Sequence, residues 1–233
     1  MLRISNLNAG YGNAQVLYDI DLECKLGEVV TVIGPNGSGK TTLLNSIFGL
    51  ADIFSGTVTF DGISLSDLPS HKIVGTRLGY LRQEGNIFET LSVEENLKMG
   101  GVSIKKKEVK KRMGEVLSLM PVVKPFLSRK ASTLSGGERH LLAIALVLMS
   151  RPKLVMLDEP TAGLAPIAIK QIIKTVDRLK DEGISLIIVE QNLKDVLKLS
   201  DRSYLVVSGR NTFVGSPDKL LERSDLKMYL GLD

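Results

Sequence analysis

One stretch of the chain has the residue types and the spacing to hold a triphosphate group. Residues 34–41 read Gly-Pro-Asn-Gly-Ser-Gly-Lys-Thr and match the phosphate-loop pattern G-x-x-x-x-G-K-[ST]. Glycines let successive backbone N–H groups turn inward around an anion, Lys40 can reach the β- and γ-phosphates, and the Thr41 hydroxyl can hold Mg²⁺. The candidate nucleotide-binding residues of this stretch are Gly34, Pro35, Asn36, Gly37, Ser38, Gly39, Lys40, Thr41 and Thr42.

The residues on either side of this loop predict the elements that must position it. Val29–Ile33 is a short β-branched run that predicts a buried strand, and Thr41–Phe48 predicts the start of a helix. Strand, loop and helix together place the phosphates at a helix N-terminus, where unpaired N–H groups and the helix dipole favour negative charge. The alternative is a glycine-rich turn with an incidental lysine, and the presence of both flanking elements argues against it.

A second candidate group is a pair of acids at the end of an apolar run. Leu154–Leu157 is continuously apolar and predicts a central parallel strand covered on both faces, and Asp158 and Glu159 follow it. Ligands of parallel sheets bind outside the carboxyl ends of the strands, so both acids are expected beside the phosphate loop. Asp158 is then the candidate Mg²⁺ support, and Glu159 is the candidate general base that polarises the attacking water.

A third motif, Leu134–Glu138, predicts a helix start with an unusual feature. Ser135 and Glu138 have the spacing of a capping box. The box does not explain the consecutive Gly136 and Gly137, each of which costs about 1 kcal/mol in a helix. Glycines there fit a phosphate that approaches the backbone at a second helix N-terminus. Because one γ-phosphate does not need two such ends within one chain, we predict a head-to-tail dimer with each nucleotide between two subunits.

Composition bounds the class of protein. The 233 residues are 43% hydrophobic and 24% charged, as in a globular protein of one or two domains. The single cysteine, Cys24, lies in an alternating strand-like stretch, so we expect it to be a core residue. The sequence has no signal-peptide pattern and no apolar run near the ~20 residues of a membrane span, which predicts a soluble intracellular protein.

A basic run, Lys105–Arg112, carries much of the formal net charge of +4. It opens a helical pattern with its apolar residues on one face, so a solvated helix face is the favoured interpretation. Contact with a nucleic-acid backbone or with an anionic membrane surface are the alternatives.

The order of predicted elements indicates an α/β fold. Leu2–Leu7 and Gln15–Leu26 predict strands joined by a turn at Gly10–Gly12, and Asp61-Gly62 predicts a hairpin. Residues from about 90 to 150 are mostly helical. Strands and helices then alternate, with predicted helices at 167–181 and 193–199, as in a doubly wound parallel sheet.

These motifs, in this order, resemble the ATP-binding subunits of ABC transporters, and the resemblance covers essentially all 233 residues. It implies a single domain over 1–233: a P-loop NTPase with an N-terminal antiparallel β-subdomain, a parallel-sheet core and a helical subdomain inserted at about 90–150. It implies ATP and Mg²⁺ as cofactors. By the same resemblance Tyr11 stacks on adenine, Gln83 senses Mg²⁺ and faces the membrane subunit, Ser135–Gly137 belong to the signature motif, and Glu159 is the catalytic base.

Within that family the sequence is similar to the ATPases of branched-chain amino-acid importers. The similar stretches are Gly10–Gly12 with Gln15–Leu17, Leu91–Leu97, Gly163–Pro166 and Val189–Asn192. The resemblance implies transmembrane permease subunits and a second, different ATPase chain, with a homodimer as the alternative. It also implies an extracytoplasmic solute-binding protein acting indirectly and a location on the cytoplasmic face of the membrane. No nucleic acid is expected.

Three other functions stay open at this point. A urea or amide importer has much the same motifs. A soluble ABC ATPase without a permease would use the basic run, although the long coiled-coil insertions or second cassette of such proteins are absent. An exporter ATPase is disfavoured because exporters often fuse the ATPase to membrane spans. A small kinase or GTPase has no use for the paired glycines.

Two positions depart from the family pattern. Gln191 stands where a histidine is usual, and it can hydrogen-bond a γ-phosphate but cannot shuttle a proton. Ala165 stands at the D-loop aspartate position and removes a carboxylate from the dimer seam. We therefore hypothesise asymmetric hydrolysis. The composite site with this chain's phosphate loop, Asp158, Glu159 and Gln191 would be slower, and the one with its signature motif would be faster.

Overall fold

The computed structural model describes residues 1–83, 86–190 and 196–226. Its strands are β1 (Leu2–Tyr11), β2 (Ala14–Cys24), β3 (Val29–Ile33), β4 (Asp52–Phe60), β5 (Ile63–Ser64), β6 (Leu78–Leu81), β7 (Leu154–Asp158), β8 (Ser185–Glu190), β9 (Arg202–Val207) and β10 (Arg210–Gly215). Its α-helices are α1 (Lys40–Ile47), α2 (Ser70–Ile73), α3 (Val93–Gly100), α4 (Lys106–Leu119), α5 (Gly136–Met149), α6 (Pro166–Asp181) and α7 (Pro217–Leu221). Short 3₁₀ helices lie at Val74–Thr76, Pro121–Phe126, Ala131–Thr133 and Leu197–Leu199.

The N-terminal part forms an antiparallel sheet in the order β2-β1-β4-β5. The predicted hairpin at Asp61-Gly62 joins β4 to β5, as expected for a dipeptide that accepts positive φ. The predicted turn joins β1 to β2, but it lies at Gly12–Asn13 rather than Gly10–Gly12, because β1 continues through Tyr11, which pairs with Ala14. The strand therefore delivers Tyr11 to the end of the sheet rather than to a loop.

The second sheet has six strands in the order β10-β9-β3-β8-β7-β6. All neighbours are parallel except the edge strand β10, which runs antiparallel to β9. The register places Ile33 opposite Glu190 and Asp158 opposite Val189. The carboxyl ends of β3, β8 and β7 therefore meet at one edge of the sheet, where parallel sheets bind their ligands.

Strand residues alternate between two apolar layers, as the two-residue period of a strand requires. Leu154 and Met156 of β7 pack with α1 and the antiparallel sheet, whereas Val155 and Leu157 pack with α5, α6 and their neighbours. All five residues of β3 are buried, as are all five of β7. The phosphate-loop helix α1 is thus fixed between two sheets through Leu43, Leu44 and Ile47.

The helical block α3–α5 separates β6 from β7 in the chain. Capping boxes begin two of its helices, with Ser92 and Glu95 at α3 and Ser135 and Glu138 at α5. Among the described residues, none of the helices is long and apolar enough to cross a membrane.

The basic run lies mostly on the exposed face of α4, but its last residue does not. Arg112 is 9% exposed, donates to the Leu148 carbonyl of α5 and pairs with Glu115 at 3.0 Å. One cation of the run is therefore structural, and the other basic residues are solvated as the sequence predicts.

Candidate functional site

The phosphate loop connects β3 to α1 and ends in an unusual helix start. The N-cap residue of α1 is Gly39, in a left-handed conformation at φ 100°, with no side chain capping the helix and no acid in the first turn. A Cβ at Gly39 would lie 2.7 Å from the Leu17 side chain, so only glycine fits. The positive end of α1 is therefore open to an anionic ligand.

Lys40 and Ser38 point their polar atoms into this loop. The Lys40 ammonium is 5% exposed and donates to the carbonyls of Gly34 at 2.9 Å and Pro35 at 3.0 Å. Burial lowers the pKa of Lys40, although the nearby carboxylates of Glu159 and Asp158 act in the opposite direction. The buried Ser38 hydroxyl has no hydrogen-bond partner in the described part of the chain. A polyphosphate fits both groups, because it supplies an acceptor for each.

Asp158 ends β7 beside the loop, as predicted. It is 2% exposed, and burial raises its pKa above the ordinary value, a shift that the hydrogen bonds from Thr41 and Tyr80 oppose. The Thr41 hydroxyl donates to Asp158 Oδ1 over 3.2 Å. A hydroxyl and a carboxylate at this spacing fit Mg²⁺, which takes one or two protein oxygens and completes its shell with phosphate and water.

Glu159, the next residue, has a backbone conformation that the sequence does not reveal. Its φ is 48°, the left-handed region that is uncommon for residues other than glycine. Its N–H donates to the Val189 carbonyl at 2.9 Å, so β8 holds the backbone in place. Gln83, two residues beyond β6, donates from Nε2 to Glu159 Oε2 at 3.3 Å. The structure therefore brings the two candidate residues together, although they are far apart in the chain.

Tyr11 lies near the loop and joins a network that the sequence analysis missed. Its ring is 43% exposed, and its hydroxyl accepts from Asn45 Nδ2 at 2.7 Å. The Tyr80 hydroxyl lies 3.1 Å from Asn45 Oδ1 and 3.3 Å from Asp158 Oδ2. Asn45 follows Thr41 by four residues on α1, a spacing that predicts a shared helix face and that offers the one sequence signal for its role.

The glycines of the third motif have two different surroundings. A Cβ at Gly137 would lie 2.4 Å from the Ala168 Cβ at the start of α6, so packing within the chain already requires glycine there. A Cβ at Gly136 would meet only the Leu164 side chain, at 3.5 Å, an ordinary contact. The structure therefore corrects the argument that an approaching phosphate explains both glycines: it is needed only for Gly136.

Ser135 begins this helix and has a partner of its own. Its hydroxyl accepts from the Glu138 N–H, and Glu138 Oε2 accepts from the Ser135 N–H at 2.7 Å. Both the Ser135 side chain and Gly136 are exposed. The helix end is therefore capped and still accessible from outside the chain.

The two departures from the family pattern differ in what the structure says of them. Ala165 is the N-cap of α6, exposed and without a side-chain hydrogen bond. Gln191 lies outside the described residues, as do residues 193–195 of the predicted helix 193–199. The described part of that stretch holds the 3₁₀ helix Leu197–Leu199. The preceding Glu190 is 2% exposed and accepts from the Thr161 N–H at 2.9 Å and from its hydroxyl at 2.6 Å, so the end of β8 is tied to the segment before α6.

An open helix N-terminus after a central parallel strand, a buried lysine across the loop and an acid at the end of the next strand but one define a P-loop nucleotide-binding protein. Residues 17–162 match the family model described as ABC transporter. The chain belongs to the ABC transporter family.

Relatives agree along the whole chain. It is 44% identical over its full length to a probable branched-chain amino acid transport ATP-binding protein LivF of Archaeoglobus fulgidus, covering 99% of that protein. It is 41% identical to BraG of Pseudomonas aeruginosa, a high-affinity branched-chain amino acid transport ATP-binding protein, over 99% of this chain and 100% of BraG. A lipopolysaccharide export ATP-binding protein LptB of Haemophilus influenzae is 33% identical, over 99% of this chain and 97% of LptB.

Solved structures agree on the fold. The ADP conformation of MJ1267, an ABC transporter cassette, superposes with a TM-score of 0.90 at 27% identity and covers 100% of this chain and 99% of that one. A dimeric, post-hydrolysis cassette MJ0796 bound to ADP and Pi gives a TM-score of 0.81 at 26% identity, over 93% of this chain and 99% of that one. The predicted fold class is confirmed, and the chain is an ATP-binding, ATP-hydrolysing subunit of a transporter.

Proposed function

We propose that this chain is the ATP-hydrolysing, energy-coupling subunit of an importer for branched-chain amino acids. One observation carries the solute class: the two relatives at 44% and 41% identity, which this chain matches along essentially its whole length, are both named for branched-chain amino acid transport. An exporter ATPase is an alternative, which the relative LptB supports less well because its identity is only 33%. A urea or amide importer is a further alternative within the same reasoning.

The proposed site roles combine the geometry with the family resemblance, which alone suggests those of Tyr11 and Gln83. The open end of α1 and Lys40 hold the phosphates, Tyr11 supports the adenine, and Thr41, Asp158 and Gln83 would hold Mg²⁺. The metal supplies charge neutralisation on the phosphate oxygens when bound. Glu159 takes the proton from the attacking water, and its hydrogen bond with Gln83 supports a role in orienting that carboxylate. We propose one ABC ATPase domain over 1–233.

The exposed Ser135-Gly136 helix end supports a composite site between two subunits. In a head-to-tail pair, this end of one chain faces the phosphate loop of the other, so closing the pair would complete the phosphate cradle. Opening after hydrolysis would release it. We propose a second, different ATPase chain as the partner, with a homodimer as the alternative.

The remaining partners are two permease subunits in the membrane and a solute-binding protein that acts through them. The chain would sit on the cytoplasmic face of the membrane, with Gln83 and the helical block α3–α5 transmitting closure of the ATPase pair to the permease. Nucleic acid has no part in this proposal.

Purification of the tagged chain from gently detergent-solubilised membranes of its own cell tests these partners. Mass spectrometry should identify two multi-span permease subunits and a second related ATPase in the purified complex. Recovery only from the soluble fraction, with nucleic acid or assembly factors, would contradict the transporter role, and recovery with an export apparatus would favour the LptB-like alternative.

A further inference from the structure

A line of four polar side chains connects the exposed aromatic Tyr11 to the buried acid Asp158. Tyr11 contacts Asn45 at 2.7 Å, Asn45 contacts Tyr80 at 3.1 Å, and Tyr80 contacts Asp158 at 3.3 Å. These residues come from β1, α1, β6 and β7, so the line crosses from the antiparallel sheet to the edge of the parallel sheet. The phosphate-loop pattern includes neither Asn45 nor Tyr80.

Tyr80 is held where it can orient a carboxylate. Its ring packs on Phe48, with the ring centroids 5.4 Å apart and the planes at 58°. The Tyr80 hydroxyl lies 3.3 Å from Asp158 Oδ2, within reach to donate a hydrogen bond to it. A hydrogen bond to Oδ2 from a fixed donor leaves Oδ1 on the side of Thr41, where a metal ligand is needed.

The proton count selects one direction along this line. The Tyr80 hydroxyl carries one hydrogen and faces two oxygens, Asn45 Oδ1 and Asp158 Oδ2, so it donates to one of them at a time. When Tyr80 donates to Asp158, the Asn45 orientation described above leaves Oδ1 facing Tyr80 without a hydrogen. Turning the Asn45 amide by half a turn from that orientation presents its NH₂ to Tyr80 and its oxygen to Tyr11. Every group then has a matching partner, from Tyr11 through Asn45 and Tyr80 to the carboxylate.

We propose that Asn45 and Tyr80 are positioning residues that orient Asp158 for the metal and couple it to Tyr11 at the adenine site. The inference rests on the metal and nucleotide roles proposed above for Asp158 and Tyr11. It goes beyond them because it predicts that the Tyr11 hydroxyl, at the adenine site, changes the metal dependence of nucleotide binding.

The test uses the purified full chain and ADP as the probe. ADP affinity is measured with excess Mg²⁺ and again with EDTA, and the ratio of the two dissociation constants gives the affinity gained through the metal. A purely structural role would alter both constants, whereas a positioning role alters mainly the constant with Mg²⁺. Tyr80→Phe keeps the ring and its packing on Phe48. Tyr18→Phe is the matched control, because the Tyr18 hydroxyl donates to the Gln15 carbonyl of its own strand, β2.

We expect Tyr80→Phe to lower the ratio about threefold to tenfold, the effect of losing one hydrogen bond of ordinary strength. Tyr11→Phe, at an exposed position, keeps the stacking ring and should lower the ratio about twofold. Tyr18→Phe should leave it unchanged.

Asp158→Asn tests the proposed metal site separately from the positioning role of Tyr80. If Asp158→Asn lowers the ratio and Tyr80→Phe does not, the positioning role is wrong and the metal site stands. If Tyr80→Phe lowers the ratio and Tyr11→Phe leaves it unchanged, the coupling to the adenine site is overturned. If Asp158→Asn also leaves the ratio unchanged, the proposed metal site fails, and the inference fails with it.

Discussion

Glu159 combines a left-handed backbone with a side chain held by a residue from another strand. Left-handed conformations of residues other than glycine cost about 1–3 kcal/mol and persist where the surroundings enforce them. Here the Val189 carbonyl fixes the Glu159 N–H and Gln83 contacts the carboxylate. The strain therefore falls at the candidate general base.

Glu159→Gln keeps the shape of this side chain and removes its basicity. ATP hydrolysis by the purified chain alone, in which any dimer carries the change at both sites, should fall about 10²–10⁴-fold. ATP affinity should stay within about twofold, because the substitution keeps the size and shape of the side chain. Steady-state phosphate release and equilibrium ATP binding measure the two effects.

Glu182→Gln, on the exposed C-cap of α6, is the matched control and should leave both quantities unchanged. Hydrolysis by Glu159→Gln at more than a tenth of the wild-type rate would show that another group takes the proton.

Single residues of the site were predictable where the spacing in sequence reports the spacing in space. Lys40, Thr41 and Asp158 follow from a loop pattern and from an apolar strand that ends in acids. Tyr80 was not predictable, because its contact with Asp158 depends on β6 lying beside β7, a pairing across more than seventy residues of intervening sequence. The Glu159 conformation was not predictable either, since nothing in the residue type favours positive φ.

At the level of elements, the two glycines at the start of α5 differ in role: Gly137 is required by packing, whereas Gly136 is not. Gly137→Ala places a Cβ 2.4 Å from the Ala168 Cβ and should destabilise the chain by about 1–3 kcal/mol. Thermal unfolding should show a melting temperature lower by roughly 2–4 °C for each kcal/mol. Combining it with Ala168→Gly removes the clash and should restore part of the loss.

Gly136→Ala is the matched substitution one residue earlier. Its Cβ meets only Leu164 at 3.5 Å, so the melting temperature should be unchanged or slightly higher, since alanine is the better helix former. Hydrolysis by the assembled complex should fall, because the Cβ stands where a partner-bound phosphate is proposed to approach. Full activity with Gly136→Ala would contradict the composite site.

The start of α6 lacks a cap that a single substitution supplies. Ala165 has extended backbone angles suited to an N-cap, and no side chain accepts from the first turn of the helix. Ala165→Asp should raise the free energy of unfolding by about 0.5–2 kcal/mol through one cap hydrogen bond and the helix dipole. Denaturant unfolding measures the gain, and Ala165→Leu, which cannot cap, should show none.

Elements with a strong apolar period were predictable, and weakly patterned ones were not. β3, β7 and β8 are apolar enough for their sequences alone to indicate buried strands. β10 was missed because it is an edge strand that alternates between exposed and half-buried residues and carries little apolar signal. The turn predicted at Gly10–Gly12 lies at Gly12–Asn13, because pairing with β2 and β4 keeps Gly10 in the strand.

For the whole molecule, the sequence predicts two unequal composite sites in a complex of two different ATPase chains. Gln191→His supplies the proton-shuttling side chain that the family pattern expects at the slower site. ATP turnover by the purified complex should rise, and Gln171→His, on the exposed face of α6, should leave it unchanged. Equal turnover with and without Gln191→His would remove the basis of the asymmetry hypothesis.

ATP hydrolysis by this chain and its partners is proposed to drive uptake of hydrophobic amino acids. The direct measurement is uptake of radiolabelled leucine into proteoliposomes that contain the purified complex, with the solute-binding protein on one side and ATP on the other. We predict uptake that requires ATP and stops when a non-hydrolysable analogue replaces it. Hydrolysis that proceeds without any uptake of leucine, isoleucine or valine would contradict the proposed function.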